Sequence, residues 1–547
     1  MLFRLFSLLL FKVHVVCRTA AILLPDLYEA SISDLQAGLQ NGDFDSVELV
    51  SAYFARIEEV NLKGPQLRAV LEINPSALGQ AKALDAERAI RGPRTKLHGI
   101  PVLLKDSIGT ASTEGLNSTA GSFSLLKSVV PEDSTVVKKL RQAGAIILGK
   151  ASMSEWAQFR GDVAAGWSGR GGQSTNAYFL GADPCGSSSG SAIATSIGLT
   201  AVSLGTETSG SITCPSSNNN VVGIKPTVGL TSRSGVIPIS EHQDTVGPIA
   251  RSVEDAAIVL SVIAGIDARD NFTSTQPQPI SDFMKALDVN GLKGARLGIP
   301  RRAFLNESLT GNDPFVNVAF QMAVNVMREM GAVIVDPADL PSTEDPENLN
   351  TVLEAESLVE ATDFKIQLNQ YLSNLPQIPT GVHSLADVIN FNDKNPNLEE
   401  PVNFTDHLVE AQETNGFNQA YFEALTTGRE LAATNGIDAA LAAHDLDALI
   451  LPAPGFAFIP SAVAGYPIVT VPLDFYPDNV TTKSVGPLTV YPAPGVPLGL
   501  CFIGTAFSEV ELIRLAFAFE QKTKTRLKRK AVSAAVPKAQ LDVVGRV

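Results

Sequence analysis

Short apolar runs alternate with helical patterns along the first 150 residues, and this alternation constrains the fold more than any other feature. The runs at 69–73, 100–104 and 145–148 have strand length, whereas residues 76–91 and 133–143 have helical spacing. Runs as apolar as 100–104 and 145–148 are typical of strands buried between two layers. We therefore predict an α/β fold in which helices cover both faces of a large mixed β-sheet.

The rest of the chain continues this pattern. Residues 31–62 predict two helices, the second capped by Ser46. Late strands are predicted at 449–451 and 468–471, and an amphipathic helix at 509–525 closes the pattern. These elements extend the α/β pattern almost to the end of the chain.

Neither an internal repeat nor a clear linker divides the 547 residues, so we expect one large domain over residues 30–530. Glycine and serine are frequent in residues 160–247, where the interleaved apolar runs indicate backbone packed around a site. Residues 350–445 are helical in pattern and more polar. We expect this variable helical region to shape a substrate pocket.

Charge and composition exclude several kinds of partner. The net charge of -15 repels phosphate backbones, so we expect no nucleic-acid partner. The four cysteines lack zinc-site spacing, and no metal or organic cofactor is expected. No uninterrupted apolar stretch reaches 18 residues, so no membrane span is expected.

The N-terminal segment favours secretion. Residues 1–21 combine a basic start, an apolar run and small residues, which is typical of a signal peptide, although Lys12 and His14 interrupt the run. Five Asn-x-Ser/Thr sequons fit a secreted glycoprotein; they begin at Asn117, Asn271, Asn306, Asn403 and Asn479. The alternative is a mispredicted start or a cytoplasmic N-terminus.

Two familiar motifs match this sequence in residue spacing but not in the local structure that they require. Residues 144–150 have Walker spacing up to Lys150, but their apolar middle favours a buried strand over a phosphate-binding loop. Residues 186–190 fit the G-x-S-x-G pattern of a nucleophile elbow, but the preceding residues 180–184 do not form a strand pattern. We expect neither a nucleotide site nor an α/β-hydrolase.

A third constellation is chemically coherent. It joins Lys105, which follows an apolar strand, with the serines at 187–189 and the small-residue segment 205–212. A serine hydroxyl needs an adjacent base, and lysine can serve when burial lowers its pKa. A turn ending at Ser211, with Gly210 for conformational freedom, can aim backbone amides at an oxyanion.

These segments, in this order, resemble the amidase signature family over nearly the whole chain. The motifs are GIPVLLKD at 99–106, the Gly/Ser run at 186–191, GTETSGS at 205–211, VGIKPT at 222–227, DTVGP at 244–248 and AGYP at 464–467. The family places its bridging serine 24 positions before the nucleophile, and counting back from Ser211 reaches Ser187.

The resemblance implies a mechanism for cleaving a small-molecule amide. Ser211 would attack the carbonyl, Ser187, held by a cis peptide bond in the family, would relay the proton, and Lys105 would accept it. The backbone amides of Thr208, Ser209, Gly210 and Ser211 would bind the oxyanion. Alternatives are a catalytically silent relative that binds a ligand or partner, and one component of an amidotransferase; a homodimer is compatible with all of them.

Several expectations surround this core. Met153 and Ser154 could line the substrate pocket or simply pack, as could Trp156. Many family members have arginine where Thr213 stands, and its loss puts the salt bridge to Glu207 in doubt.

The remaining polar candidates are expected to be structural. Cys185 and Cys214 are expected to be buried thiols, with a disulfide as the alternative. Asp106 is expected to face backbone amides, and His98 and His242 are expected to be structural rather than catalytic.

Overall fold

The computed structural model describes residues 24–345, 347–399 and 406–544. The predicted signal peptide at 1–21 therefore lies outside the described residues. The strands are β1 Val70–Ile73, β2 Pro101–Lys105, β3 Ile146–Ala151, β4 Trp167–Ser168, β5 Gly172–Gln173, β6 Val202–Glu207, β7 Val222–Lys225, β8 Thr245–Ala250, β9 Arg296–Gly298, β10 Val333–Val335, β11 Ala448–Pro452, β12 Ile468–Phe475, β13 Ser484–Val485, β14 Thr489–Val490 and β15 Pro497–Ile503.

Helices occupy most of the intervening chain. The α-helices are α1 Ile32–Asn41, α2 Ser46–Val60, α3 Ala77–Arg91, α4 Thr135–Gln142, α5 Ser189–Ser196, α6 Thr213–Asn218, α7 Val253–Ile263, α8 Glu307–Thr310, α9 Pro314–Glu329, α10 Glu347–Ser373, α11 Leu385–Lys394, α12 Pro396–Glu399, α13 His407–Glu413, α14 Gln419–Arg429, α15 Asp438–His444, α16 Ile459–Ala464, α17 Glu509–Thr523 and α18 Leu541–Val544. A π-helical turn, Glu430–Ile437, joins α14 to α15.

Eleven strands form one mixed sheet in the order β1-β3-β2-β6-β8-β7-β12-β15-β11-β9-β10. The strand β2 lies between β3 and β6 and is parallel to both. The central strands from β6 to β11 pair antiparallel, and β11, β9 and β10 pair parallel. The predicted single α/β domain with a large mixed sheet is confirmed.

Complete burial explains why β2 and β3 contain almost no polar residues. Every residue of both strands is buried, as expected for strands covered on two sides. Pro101 stands first in β2, the one position in a central strand where its missing N–H costs little. Lys105, at the carboxyl end of β2, therefore lies in the interior.

Ser46 was predicted to cap the second helix, but Ser46 is the first residue of that helix and its cap is Asp45. The Asp45 side chain accepts from the Glu48 backbone N–H, and the Glu48 side chain accepts from the Asp45 backbone N–H. This reciprocal capping box satisfies two unpaired amides at once, which a single serine would not do. The Ser46 amide instead donates to Asp85.

The region 350–445 is helical, as predicted. Helices α10, α11 and α13 share a second apolar core with Met153 and Trp156. No helix within residues 24–345, 347–399 or 406–544 combines the length and apolar character that crossing a bilayer requires.

Candidate functional site

Lys105, the last residue of β2, is completely buried between two serine-bearing segments. Its Nζ lies 2.7 Å from Ser187 Oγ and 2.8 Å from the Thr206 carbonyl oxygen. Burial lowers the pKa of Lys105 to about 7, and the negative charges of Glu207 and Asp244 offset only part of that effect. A large fraction of the amine is therefore neutral near pH 7.

Ser187 lies between Lys105 and the second serine. Its Oγ is 3.0 Å from Ser211 Oγ, 24 positions further along the chain. The Gly186–Ser187 peptide bond is cis. The Ser154 amide donates to the Ser187 carbonyl at 3.1 Å, and a Cβ at Gly186 would lie 2.3 Å from Ser154 Oγ. Only glycine therefore fits before the bridging serine.

Ser211 sits in the turn between β6 and α6, where its side chain remains 6% exposed. Gly210 adopts a φ of 77°, a conformation in which L side chains are strained. A Cβ at Gly210 would also lie 3.1 Å from the Phe458 ring. The turn thus places the Ser211 hydroxyl where it faces both the cleft and Ser187.

Glu207 organises this turn without the arginine that the family resemblance led us to consider at position 213. Its carboxylate accepts from the Ile212 amide at 2.6 Å and from the Thr213 amide at 2.7 Å. The Thr213 hydroxyl donates to the same carboxylate at 3.0 Å. A carboxylate at a helix N-terminus satisfies unpaired amides and is favoured by the helix dipole, so hydrogen bonds take the place of the salt bridge.

The predicted oxyanion donors divide into two groups. The Gly210 amide donates to Glu207 at 3.1 Å, so it is already engaged in the turn. Among the residues that the structure describes, the amides of Thr208, Ser209 and Ser211 have no hydrogen-bond acceptor. These three amides are therefore free to bind an oxyanion. The Ser211 amide belongs to the candidate nucleophile itself, and the Ser209 amide is the nearer of the other two in sequence.

A cleft of about 380 Å³ opens onto Ser211. Thr208 and Ser209 line it, and the Thr208 hydroxyl donates to Asp244 at 2.7 Å. The other lining residues are Ala157, Gln158, Phe159, Gly186, Ile239, Leu353, Glu356, Ser357, Glu360, Ala361, His407 and Glu410. The cleft therefore joins the Gly/Ser-rich segment to helices α10 and α13.

Met153 and Ser154 do not belong to this lining. Met153 is fully buried in the second apolar core, and the Ser154 hydroxyl accepts from the Gly166 amide at 2.8 Å. Trp156 is also packed in that core. These residues therefore pack in the interior, which was the alternative to lining the pocket. Through its backbone amide, Ser154 also holds the segment that carries Ser187.

Cys185 and Cys214 form a disulfide, contrary to the expectation of two free thiols. Their Cα atoms lie 5.8 Å apart, within the usual range for such a bridge. The bond ties the residue before Gly186 to the first turn of α6, three residues after Ser211. Folding brings the two cysteines together because both flank the same cluster of serines.

The remaining polar candidates have structural roles. The Asp106 carboxylate accepts from the Thr119 amide at 3.2 Å and the Gly121 amide at 3.0 Å, as predicted. A ring nitrogen of His98 lies 3.0 Å from the Leu84 carbonyl oxygen, and one of His242 lies 3.0 Å from the Tyr421 hydroxyl. Neither histidine lines the cleft.

The two motifs set aside from the sequence have ordinary surroundings. Residues 146–151 form β3, and Lys150 is buried with its Nζ 2.8 Å from Ser118 Oγ. The Ser188 hydroxyl donates to the Thr206 carbonyl at 3.1 Å. No strand precedes it over 180–184. Neither a phosphate loop nor a nucleophile elbow is present there.

Sequence reasoning missed the acidic side chains of the cleft. Glu356 and Glu360 are one turn apart on α10, and Glu410 lies on α13. Their spacing indicated only a helix with a polar face. Nothing in the sequence indicates that this face covers residues 208–211, nearly 150 positions earlier, so the structure was needed to find it.

Comparisons with known proteins give a consistent result. A family model described as Amidase matches residues 48–513. A putative amidase of Arthroderma benhamiae is 41% identical, with 93% of this chain and 88% of the relative covered. The crystal structure of native peptide amidase from Stenotrophomonas maltophilia superposes with a TM-score of 0.81 at 42% identity, covering 92% of this chain and 98% of that one.

A more distant relative is one component of a larger enzyme, the glutamyl-tRNA(Gln) amidotransferase of Geobacter metallireducens. It is 32% identical to this chain, with 91% of this chain and 98% of the relative covered.

Proposed function

The chain belongs to the amidase family, and from that premise we propose that it hydrolyses a carboxylic amide through an acyl-enzyme on Ser211. The observation that carries the proposal is the continuous line of contacts from Ser211 Oγ to Ser187 Oγ, 3.0 Å, and on to Lys105 Nζ, 2.7 Å. Such a line matches the requirement of a serine nucleophile for a base within hydrogen-bonding reach.

The first half-reaction forms the ester. Ser211 Oγ attacks the amide carbonyl while its proton passes to Ser187 Oγ and the Ser187 proton passes to neutral Lys105. The amides of Ser209 and Ser211 stabilise the tetrahedral oxyanion, at about 3–4 kcal/mol per donor. As the C–N bond breaks, Lys105 returns a proton through Ser187 to the leaving amine.

The second half-reaction releases the acid. Water takes the place of the amine and gives a proton through Ser187 to Lys105. Its oxygen attacks the ester carbonyl, and the proton returned by Lys105 restores the Ser211 hydroxyl as the carboxylic acid leaves. The acid then releases its remaining proton to the solvent. The cleft of about 380 Å³ suits a small amide rather than a folded protein chain.

Two alternatives fit the residues less well. In a silent relative the amine, the two hydroxyls and the amides of Ser209 and Ser211 would have no chemistry to perform. An amidotransferase component working on charged tRNA would have to approach phosphates with a net charge of -15. Hydrolysis of a small amide makes use of the whole arrangement.

We also propose that the protein is secreted. The Cys185–Cys214 disulfide supports an oxidising compartment, because such bonds are rare in reducing ones. The side chains of Asn271, Asn306 and Asn479 are exposed and accessible to glycosylation.

Covalent labelling tests the nucleophile. A fluorophosphonate probe should modify Ser211, and tryptic mass spectrometry should find the adduct there. The Ser211→Ala variant should lose labelling, whereas the matched variant Ser188→Ala should retain it. A folded wild-type protein that is not labelled, or is labelled at Ser188, would contradict the proposal.

A further inference from the structure

The cleft has an acidic wall. Glu356, Glu360 and Glu410 are its charged lining residues, together with one histidine, His407. Glu356 and Glu360 lie on the same face of α10 because they are four positions apart. Within the described lining, no lysine or arginine accompanies them.

Two of these carboxyl groups are held in place together. The Gln243 side-chain amide donates to Glu356 Oε1 at 3.0 Å and to Glu360 Oε1 at 3.1 Å. Glu356 is only 8% exposed and Gln243 only 2% exposed. Gln243 therefore fixes the spacing of the pair.

Glu356 is buried and Glu360 is half-buried, and no positive charge among the described residues balances the pair. Burial raises the pKa of Glu356 to about 7, partly offset by hydrogen bonds from Ser209 and Gln243. Burial also raises the pKa of Glu360, and Glu356, Asp244 and Asp363 raise it further. Neither glutamate forms a salt bridge with a basic side chain of the described residues. A cation entering the cleft would favour the ionised form of both.

The acidic wall shares its cavity with the candidate nucleophile. Ser211 and Ser209 line the same cleft as Glu356, and Glu356 interacts with Ser209, beside the oxyanion donors. A substrate whose carbonyl reaches Ser211 therefore lies in the same cavity as these carboxyl groups, which a cationic group on the substrate would ionise. Their charge acts on the substrate itself, not on a separate site.

We propose that Glu356 and Glu360 determine specificity, and that the preferred substrate is a small amide whose acyl part carries an ammonium or guanidinium group. This inference rests on the proposed function. The acyl part is favoured over the leaving amine because Lys105 becomes positively charged as it takes the proton destined for that amine. A second positive charge beside it would be unfavourable, whereas a cation held by the glutamates would be attracted.

Three matched substrates test the proposal: N-acetyl-lysinamide, N-acetyl-norleucinamide and the α-amide of N-acetylglutamate. The first two differ in charge but little in shape. The value of kcat/KM should be at least about tenfold higher for the lysine amide than for the norleucine amide, and lowest for the glutamate amide. The double variant Glu356→Gln/Glu360→Gln should bring the lysine-to-norleucine ratio close to one.

Glu354→Gln is the matched control, since Glu354 is exposed on the same helix outside the cleft; it should leave the ratio unchanged. A wild-type ratio of one or less would overturn the inference, as would an unchanged ratio in the double variant. Equal hydrolysis of all three amides would defeat this inference alone. Absence of hydrolysis together with absence of fluorophosphonate labelling would instead defeat the proposed function.

Discussion

Burial alone does not distinguish Lys105 from the other interior lysines. Burial lowers the pKa of Lys150 and of Lys225 to about 8 in each case. Lys225, however, donates to the backbone carbonyls of Pro226 and Tyr466, and Lys150 contacts Ser118, which is not part of the cleft. Lys105 differs because its Nζ contacts the Ser187 hydroxyl, which in turn contacts the Ser211 hydroxyl at the cleft.

Replacing Lys105 by arginine should abolish turnover. A guanidinium remains charged at every accessible pH, so it cannot accept the serine proton. We expect kcat/KM to fall by at least about a thousandfold, as for loss of a catalytic base in serine hydrolases. Steady-state kinetics with a neutral amide measures this effect.

Lys225→Met is the matched control, because it removes another buried lysine that does not line the cleft. It should cost stability and not the catalytic step. If Lys105→Arg folds and retains more than about a tenth of wild-type activity, another group must be the base.

At the residue scale, the sequence predicted the candidates only through ordered motifs. Ser187 and Ser211 are single residues in a Gly/Ser-rich segment, and neither spacing nor composition gives the distance between their hydroxyls. The engagement of the Gly210 amide by Glu207 could not be predicted, because it depends on how a carboxylate folds back onto its own turn.

At the element scale, apolar composition predicted several strands that are rich in branched residues but missed β10 and β15, which are also rich in them. The strands β2, β3 and β12 were located within a few residues. The strands β6 and β8 were not predicted, since Gly, Ser and Thr interrupt their apolar residues. They are nevertheless buried and central in the sheet, where close packing around the site favours small side chains.

The disulfide joins two segments that carry the site and should stabilise it. Replacing both Cys185 and Cys214 by serine should lower the free energy of unfolding by about 2–4 kcal/mol. Urea denaturation of the oxidised wild type and of the double variant measures the difference. Reduced wild type is the control and should resemble the variant. Equal midpoints for all three samples would show that the bond contributes nothing.

At the scale of the whole molecule, the site draws on distant parts of the chain. The Gly/Ser-rich segment supplies the serines, and residues from 353 to 361, 407 and 410 complete the cleft. These later residues fall inside the region 350–445 expected to shape a pocket. That expectation came from a change in composition, which could locate the region but not the identity or charge of the side chains that face Ser211.

Secretion predicts a specific pattern of glycosylation. Asn271, Asn306 and Asn479 are exposed, whereas the Asn117 amide nitrogen donates to Glu72 Oε1 at 2.8 Å and the residue is half-buried. After expression in a eukaryotic secretory host, mass spectrometry should find glycans at the three exposed sites and not at Asn117. Single Asn→Gln variants at these sites provide the controls.

A secreted product without any glycan would contradict the predicted glycosylation. Retention of the protein in the cytoplasm with Cys185 and Cys214 reduced would contradict the location. The fifth sequon, at Asn403, lies outside the described residues, and no expectation about it is drawn from the structure.

The pH dependence of kcat/KM tests the lysine base most directly. The pKa of Lys105 is lowered to about 7, so its neutral, active form predominates above that pH and is lost as the pH falls. With a neutral amide, activity should decline about tenfold per pH unit below about pH 7 and level off above it. A profile that stays flat between about pH 5 and 9 would contradict a lysine base.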